Sequence, residues 1–130
     1  MGPVTAAVDA AVAAARRRYR RLDARQAAAE RAQGALLVDT RPSELRRVHG
    51  HIPGALVVDR NVLEWRLDPT SAHRLPPVSH AGVRFILFCQ EGFASSLAVG
   101  SLLDLGLTSA TDLVGGFAAW RDAGLPVSRT

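Results

Sequence analysis

The segment 84–105, RFILFCQEGFASSLAVGSLLDL, constrains the fold more than any other part of the chain. Arg84–Cys89 is a short apolar run with a Phe at each end of its core. That composition makes it the best strand in the chain. Ser95–Leu105 repeats its apolar residues at helical spacing, and only five residues separate it from Cys89. A strand running through a tight loop into a helix is one half of a βαβ unit, the building block of parallel sheets covered by helices. In such sheets ligands bind beyond the carboxyl ends of the strands, which is where this segment puts Cys89.

The rest of the chain repeats that alternation. Thr5 is placed to cap a first helix running to about Arg17, with Val4, Val8, Val12 and Ala15 on one face and the Arg16–Arg18 run at its C-terminus, facing water. A short strand is expected over Tyr19–Leu22. Asp23 and Gln26 then have the spacing of a capping box opening a helix over Ala24–Ala32, which Gly34 ends. Ala35–Val38, ending in Asp39, reads as a buried strand; Pro42 forces a turn, and a short helix follows over Ser43–Val48. Gly50, Pro53 and Gly54 precede a brief strand at Ala55–Val58. Asn61 is placed to cap a helical turn through Trp65 and Arg66, with Trp65 read as core. Asp68–His80, rich in Pro and Ser, reads as a surface loop. Ala110–Val114 gives a last strand and Gly116–Ala123 a closing helix.

At 130 residues and 48% hydrophobic content the chain can bury one real core, so one domain and one site are expected. The division is an N-terminal helical extension, 1–18, and a single domain, 19–130. A formal net charge of +4 favours anionic ligands weakly, but all 16 basic residues are Arg, and the Arg cluster at 16–21 has no interleaved aromatics except Tyr19. Nucleic acid is not an expected partner. One Cys allows no intramolecular disulfide, which excludes the disulfide-stapled class and fits a cytoplasmic setting. The N-terminus carries Asp9 early and its Arg cluster late, the reverse of a secretory signal, and Ala6 breaks the myristoylation pattern. No apolar run is long enough to cross a membrane as a helix.

Cys89 has the surroundings of a nucleophile. Gly92 lets the chain turn with positive φ, so the backbone N–H groups of Gln90, Glu91, Gly92, Phe93, Ala94 and Ser95 can converge on the sulfur, and the following helix adds its positive end. Such donors favour thiolate over thiol, and they would equally hold a terminal persulfide anion. The plainer alternative is an inert buried thiol closing an apolar strand. The four His residues have neither metal-ligand spacing nor further Cys near them, so no metal is expected.

Cys89-Gln90-Glu91-Gly92-Phe93-Ala94-Ser95-Ser96 resembles the active-site loop of rhodanese-like sulfurtransferases, with Gly three residues after Cys and Ser opening the helix. Three more motifs agree in order and spacing. Leu37-Val38-Asp39-Thr40-Arg41 resembles the first strand with its Asp-x-Arg signature, Gly50-His51-Ile52-Pro53-Gly54-Ala55 the second signature, and Gly115-Gly116-Phe117-Ala118-Ala119-Trp120 the C-terminal one. The resemblance implies an α/β rhodanese-like fold, a five-stranded parallel sheet flanked by helices on both faces, here with an extra N-terminal helix. It also implies a ping-pong sulfur transfer through a persulfide on Cys89, without cofactor, from a small donor such as thiosulfate or a persulfide to a thiol or protein acceptor. Asp39 and Arg41 would pair to organise the loops; Gly54, Gly115, Gly116 and Trp120 would form turns and core. A monomer or weak homodimer would suffice.

The loop departs from many active members, which carry Arg or Lys within it. Here Glu91 is the only ionisable side chain besides Cys89, which disfavours a dianionic donor; Arg60, beyond the Ala55–Val58 strand, is the candidate to supply a cation from another loop. Phe93 and Ala94 give the loop an apolar rim, pointing to a protein or small-thiol acceptor rather than a free oxyanion. Phosphatases of related fold have a loop one residue longer, with an Arg that clamps phosphate; this chain has Ser96 there. Two classes of function therefore stand: a sulfurtransferase or sulfane-sulfur carrier, and a non-catalytic binding or redox-sensing module.

Overall fold

Four strands, β1 (Leu36–Asp39), β2 (Leu56–Val57), β3 (Phe85–Phe88) and β4 (Thr111–Asp112), form one parallel sheet in the order β2-β1-β3-β4. The structure, a computed structural model, describes residues 6–129. Helices are α1 (Ala7–Arg16), α2 (Ala24–Ala32), α3 (Ser43–His49), α4 (Leu63–Leu67), α5 (Ala94–Asp104) and α6 (Gly116–Asp122), with a 3-10 turn at Arg60–Val62 before α4.

The central strand β3 explains why its sequence is apolar without alternation. Phe85 and Leu87 face a core shared with Leu63, Leu67, Ala98, Val99 and Leu102 of α4 and α5. Ile86 and Phe88 face the opposite core, with Ala24 and Ala27 of α2 and Phe117 and Trp120 of α6. All four strand residues are fully buried, each contributing about 2 kcal/mol of apolar transfer. This two-sided burial fixes β3 at the sheet centre and Cys89 at its carboxyl end.

The sheet has four strands rather than five. The expected strand at Tyr19–Leu22 is a single parallel bridge, Leu22 to Leu113, held by Leu22 N–H to the Asp112 carbonyl (3.1 Å) and Val114 N–H to the Leu22 carbonyl (2.8 Å). Asp23 is the reason: its carboxylate takes the Gln26 N–H (2.8 Å) and its own N–H bonds the Gln26 side chain (2.9 Å), so α2 starts before a ladder can form.

Other expectations are revised locally. Thr5 and Val4 lie outside the described residues, and Ala6 occupies the N-cap of α1 without a side-chain bond; Val8 is exposed, while Val12 and Ala15 are buried. Asp59, not Asn61, caps the turn before α4, accepting the Asn61 N–H at 2.8 Å. Trp65 is exposed rather than core, because Leu63 and Leu67, one turn apart on the five-residue α4, take the inward face and leave position 65 opposite. The 68–80 segment is a loop, pinned by a fully buried Val78. No helix among the described residues is long and apolar enough to cross a membrane.

Candidate active site

Cys89 follows the last residue of β3 and is almost buried. The chain then curls back on the sulfur: the Gly92 N–H donates to Sγ at 3.2 Å and the Ser95 N–H at 3.4 Å. The turn needs glycine at Gly92, whose φ is +91°. Of the six N–H groups the sequence nominates, these two reach Sγ; those of Gln90, Glu91, Phe93 and Ala94 meet no acceptor among the described residues.

The loop rests on the C-terminal glycine pair. The N–H groups of Phe117 and Ala118 donate to the carbonyls of Cys89 (2.8 Å) and Gln90 (3.1 Å). A methyl at Gly116, where φ is +62°, would come within 2.4 Å of the Cys89 carbonyl oxygen, and one at Gly92 within 2.7 Å of the Gly115 nitrogen. The Gly115-Gly116 pair is thus the seat of the sulfur loop as well as a turn.

Arg41 ties the next loop to it. Its guanidinium grips Asp39 (Nη2 to Oδ2, 2.8 Å), donates to the Gly50 carbonyl (2.9 Å) and to the Gln90 side chain (2.9 Å), and lies 4.2 Å from the centroid of the Phe117 ring. Arg41 and Asp39 are both buried, and the charge of one is met by the other. In front of Cys89 opens a cavity of about 620 Å³. Pro42, Leu45, Phe93, Ala94 and Leu97 supply its apolar wall, and Arg60 and Glu91 its charged rim. Arg60 does reach this cavity, but its guanidinium is bonded to both oxygens of Glu64 (3.1 and 2.9 Å). Burial works against ionisation of Glu64, yet the bonds from Ser101 and Arg60 outweigh it and hold the carboxyl below its ordinary value. The candidate cation is therefore already neutralised, whereas Glu91 has no ion pair among the described residues.

Behind the loop lies a polar cluster that the sequence reading missed. Asp112, fully buried at the end of β4, accepts from Tyr19 Oη (3.0 Å), Arg21 Nε (2.8 Å), Ser95 Oγ (2.8 Å) and Ser96 Oγ (2.8 Å). Burial, reinforced by the Asp112 charge and partly offset by Ser96, pushes the Tyr19 hydroxyl far above its ordinary value, so it stays a neutral donor. Arg16 and Arg21 both donate to the Gly92 carbonyl, at 2.7 and 2.9 Å. Arg16 thus turns to the loop rather than to water. The available signal was a carboxylate, Asp112, inside the expected strand at Ala110–Val114.

The rhodanese-like domain model matches residues 22–123. No curated protein matches the chain. Among solved structures, a protein of unknown function from Rhodopseudomonas palustris, described as a possible tyrosine phosphatase, is 30% identical with a TM-score of 0.84, the match covering 98% of each chain. A rhodanese-related protein from Thermoplasma volcanium is 25% identical with a TM-score of 0.66, over 86% of this chain and 100% of its own. A thiosulfate sulfurtransferase from Pseudomonas aeruginosa has the same identity and TM-score over 85% of this chain, which spans 20% of that longer protein. With the parallel sheet, the closed loop after its central strand and a match over most of its length, the chain belongs to the rhodanese-like domain family.

Proposed function

We propose that the protein accepts sulfane sulfur on Cys89 and passes it to a thiol, with an organic persulfide rather than thiosulfate as donor. The observation that carries this reading is the pair of N–H groups aimed at Sγ from within a closed loop whose remaining N–H groups are free. In the first half-reaction the Cys89 thiolate attacks the outer sulfur of R–S–S–H. The donor's S–S bond breaks and its electron pair leaves on the inner sulfur; the proton of the transferred outer sulfur passes to that departing thiolate, giving R–SH and a Cys89 that carries –S–S⁻. In the second, an acceptor thiolate attacks the outer sulfur of the protonated persulfide and Cys89 leaves as thiolate. The loop N–H groups stabilise the negative sulfur at both stages, as donors arranged before the charge arrives.

Donor choice follows from charge. Arg60 is met by Glu64 and Arg41 by Asp39, so the cavity offers a dianion no free cation, while Glu91 repels it. The apolar wall suits the organic part of a persulfide or thiol. One thiol that must stay free also suits a reducing, cytoplasmic setting. The Rhodopseudomonas likeness raises phosphate-ester hydrolysis. That reading lacks support from the loop, which has no Arg to clamp a phosphate and commits the Ser96 hydroxyl to Asp112.

The test is intact mass after incubation with a cysteine persulfide and, separately, with thiosulfate. We expect a gain of one sulfur atom from the persulfide, removable by reductant, and none in Cys89→Ser, whose fold should survive. No gain from either donor would leave a binding or redox-sensing module; hydrolysis of an aryl phosphate by the wild type alone would favour the phosphatase.

A further inference from the structure

Arg16 and Arg21 both lie N-terminal to the family match, Arg16 at the end of the helical extension and Arg21 in the segment that follows it. Both guanidinium groups nevertheless converge on a single loop oxygen, the Gly92 carbonyl. A trans peptide points its carbonyl and its N–H in opposite directions. With the Gly92 carbonyl held by two guanidinium groups, the N–H of the same peptide, that of Phe93, is directed away from them, and it meets no acceptor among the described residues. Polarisation by charged donors also makes that N–H a stronger donor.

The two arginines differ in one respect. Arg21 is neutralised by Asp112, whereas Arg16 has no carboxylate partner among the described residues; it bonds Ser96 Oγ (2.9 Å) and lies 5.5 Å from the centroid of the Phe93 ring. Arg16 is therefore the unneutralised cation at the sulfur loop. It arrives from behind the loop instead of from within it.

We propose that Arg16 and Arg21 are positioning residues for the sulfur-holding loop, fixing the Gly92–Phe93 peptide so that its N–H faces the sulfur, with Arg16 supplying the positive charge that the loop sequence lacks. The N-terminal extension is then part of the sulfur site. This rests on the sulfur-carrier reading for its purpose, though its geometry can be tested without it.

Two readouts separate the claims: the rate of Cys89 alkylation by iodoacetamide at fixed pH, which needs no sulfur transfer, and the lifetime of the Cys89 persulfide after loading with a cysteine persulfide. Arg16→Gln is the leading variant because Arg16 does not touch Asp112; Arg21→Gln is the second. Arg18→Gln is the control, since Arg18 fastens α1 to α5 through Asp104 and the Gly100 carbonyl without touching the loop. We expect Arg16→Gln to slow alkylation and shorten the persulfide lifetime about tenfold, the scale of one charge-assisted hydrogen bond, with Arg16→Lys recovering most of the loss and Arg18→Gln within about twofold of wild type. Wild-type behaviour of Arg16→Gln in both readouts would overturn the proposal. So would an equal loss in Arg18→Gln, which would reduce the effect to docking of α1. If the wild type takes up no sulfur while Arg16→Gln still slows alkylation, the positioning role stands and the sulfur-carrier reading falls.

Discussion

The two sides of the Cys89 loop are built on opposite plans. Its front, toward the cavity, is apolar; the charges at its rim are exposed, as with Glu91, or already paired, as with Arg60. Its back is a dense polar cluster around a fully buried carboxylate, Asp112, with a hydroxyl or guanidinium at every side. The same groups are worth more behind the loop than in front. Water screens a rim charge, whereas a hydrogen-bonded network out of water is stronger and holds one geometry. The loop is therefore shaped from behind, leaving its front free to receive a substrate.

That contrast can be broken most severely at Asp112. Asp112→Asn should destabilise the fold by roughly 2–3 kcal/mol in urea unfolding, because it removes the charge that a partly buried Arg21 and two serine hydroxyls bond. A loss under about 1 kcal/mol would mean that the cluster contributes little to the loop. Next in size is Gly116→Ala. Its cost should exceed that of Gly34→Ala, which has positive φ but open space around it, and the latter should lie near 1–2 kcal/mol. Equal costs would show that backbone conformation alone, not the seat under Cys89, makes Gly116 necessary.

A smaller effect is expected from pH. Tyr19 is the chain's one tyrosine, and its hydroxyl titrates higher in the fold than in the unfolded chain, where it titrates near 10. The folded state thus prefers the proton, so this contribution to stability is complete below about pH 10 and is lost as pH rises beyond it. Tyr19→Phe should flatten the alkaline fall in stability; an unchanged profile would place its cause elsewhere. The front of the loop should give the smallest change in stability. Glu91→Gln should leave the melting temperature within error of wild type and raise thiosulfate turnover a few-fold, as expected of one screened charge, without altering turnover of an organic persulfide. Equal gains for both donors would show that charge does not set the choice.

Much of this architecture was legible without coordinates. The run Arg84–Cys89 read as the best strand of the chain and Phe85–Phe88 is one, and the Asp23–Gln26 spacing located the start of α2 to the residue. The Gly92 turn and the place of Cys89 at the carboxyl end of β3 followed from the same segment. The reading failed where side chains answer to distant partners. Trp65 looked like core because it is large and apolar, but a single turn of helix has one inward face and two leucines already fill it. Arg16 looked like a solvated helix end because nothing in its neighbourhood along the chain asks for a cation; its partners are Gly92 and Ser96, 76 and 80 residues away.

Local pattern by itself determined the alternation of strands and helices, the position of the one thiol at a strand end and the glycine turn beside it, because hydrophobic period and backbone freedom are properties of neighbours in sequence. Only the tertiary structure decided where charge acts. A guanidinium has the same sequence signature whether it faces water, neutralises Glu64 or fastens the Gly92 carbonyl, and its effect depends on the partner and the dielectric around it, both set by packing between segments far apart in the chain.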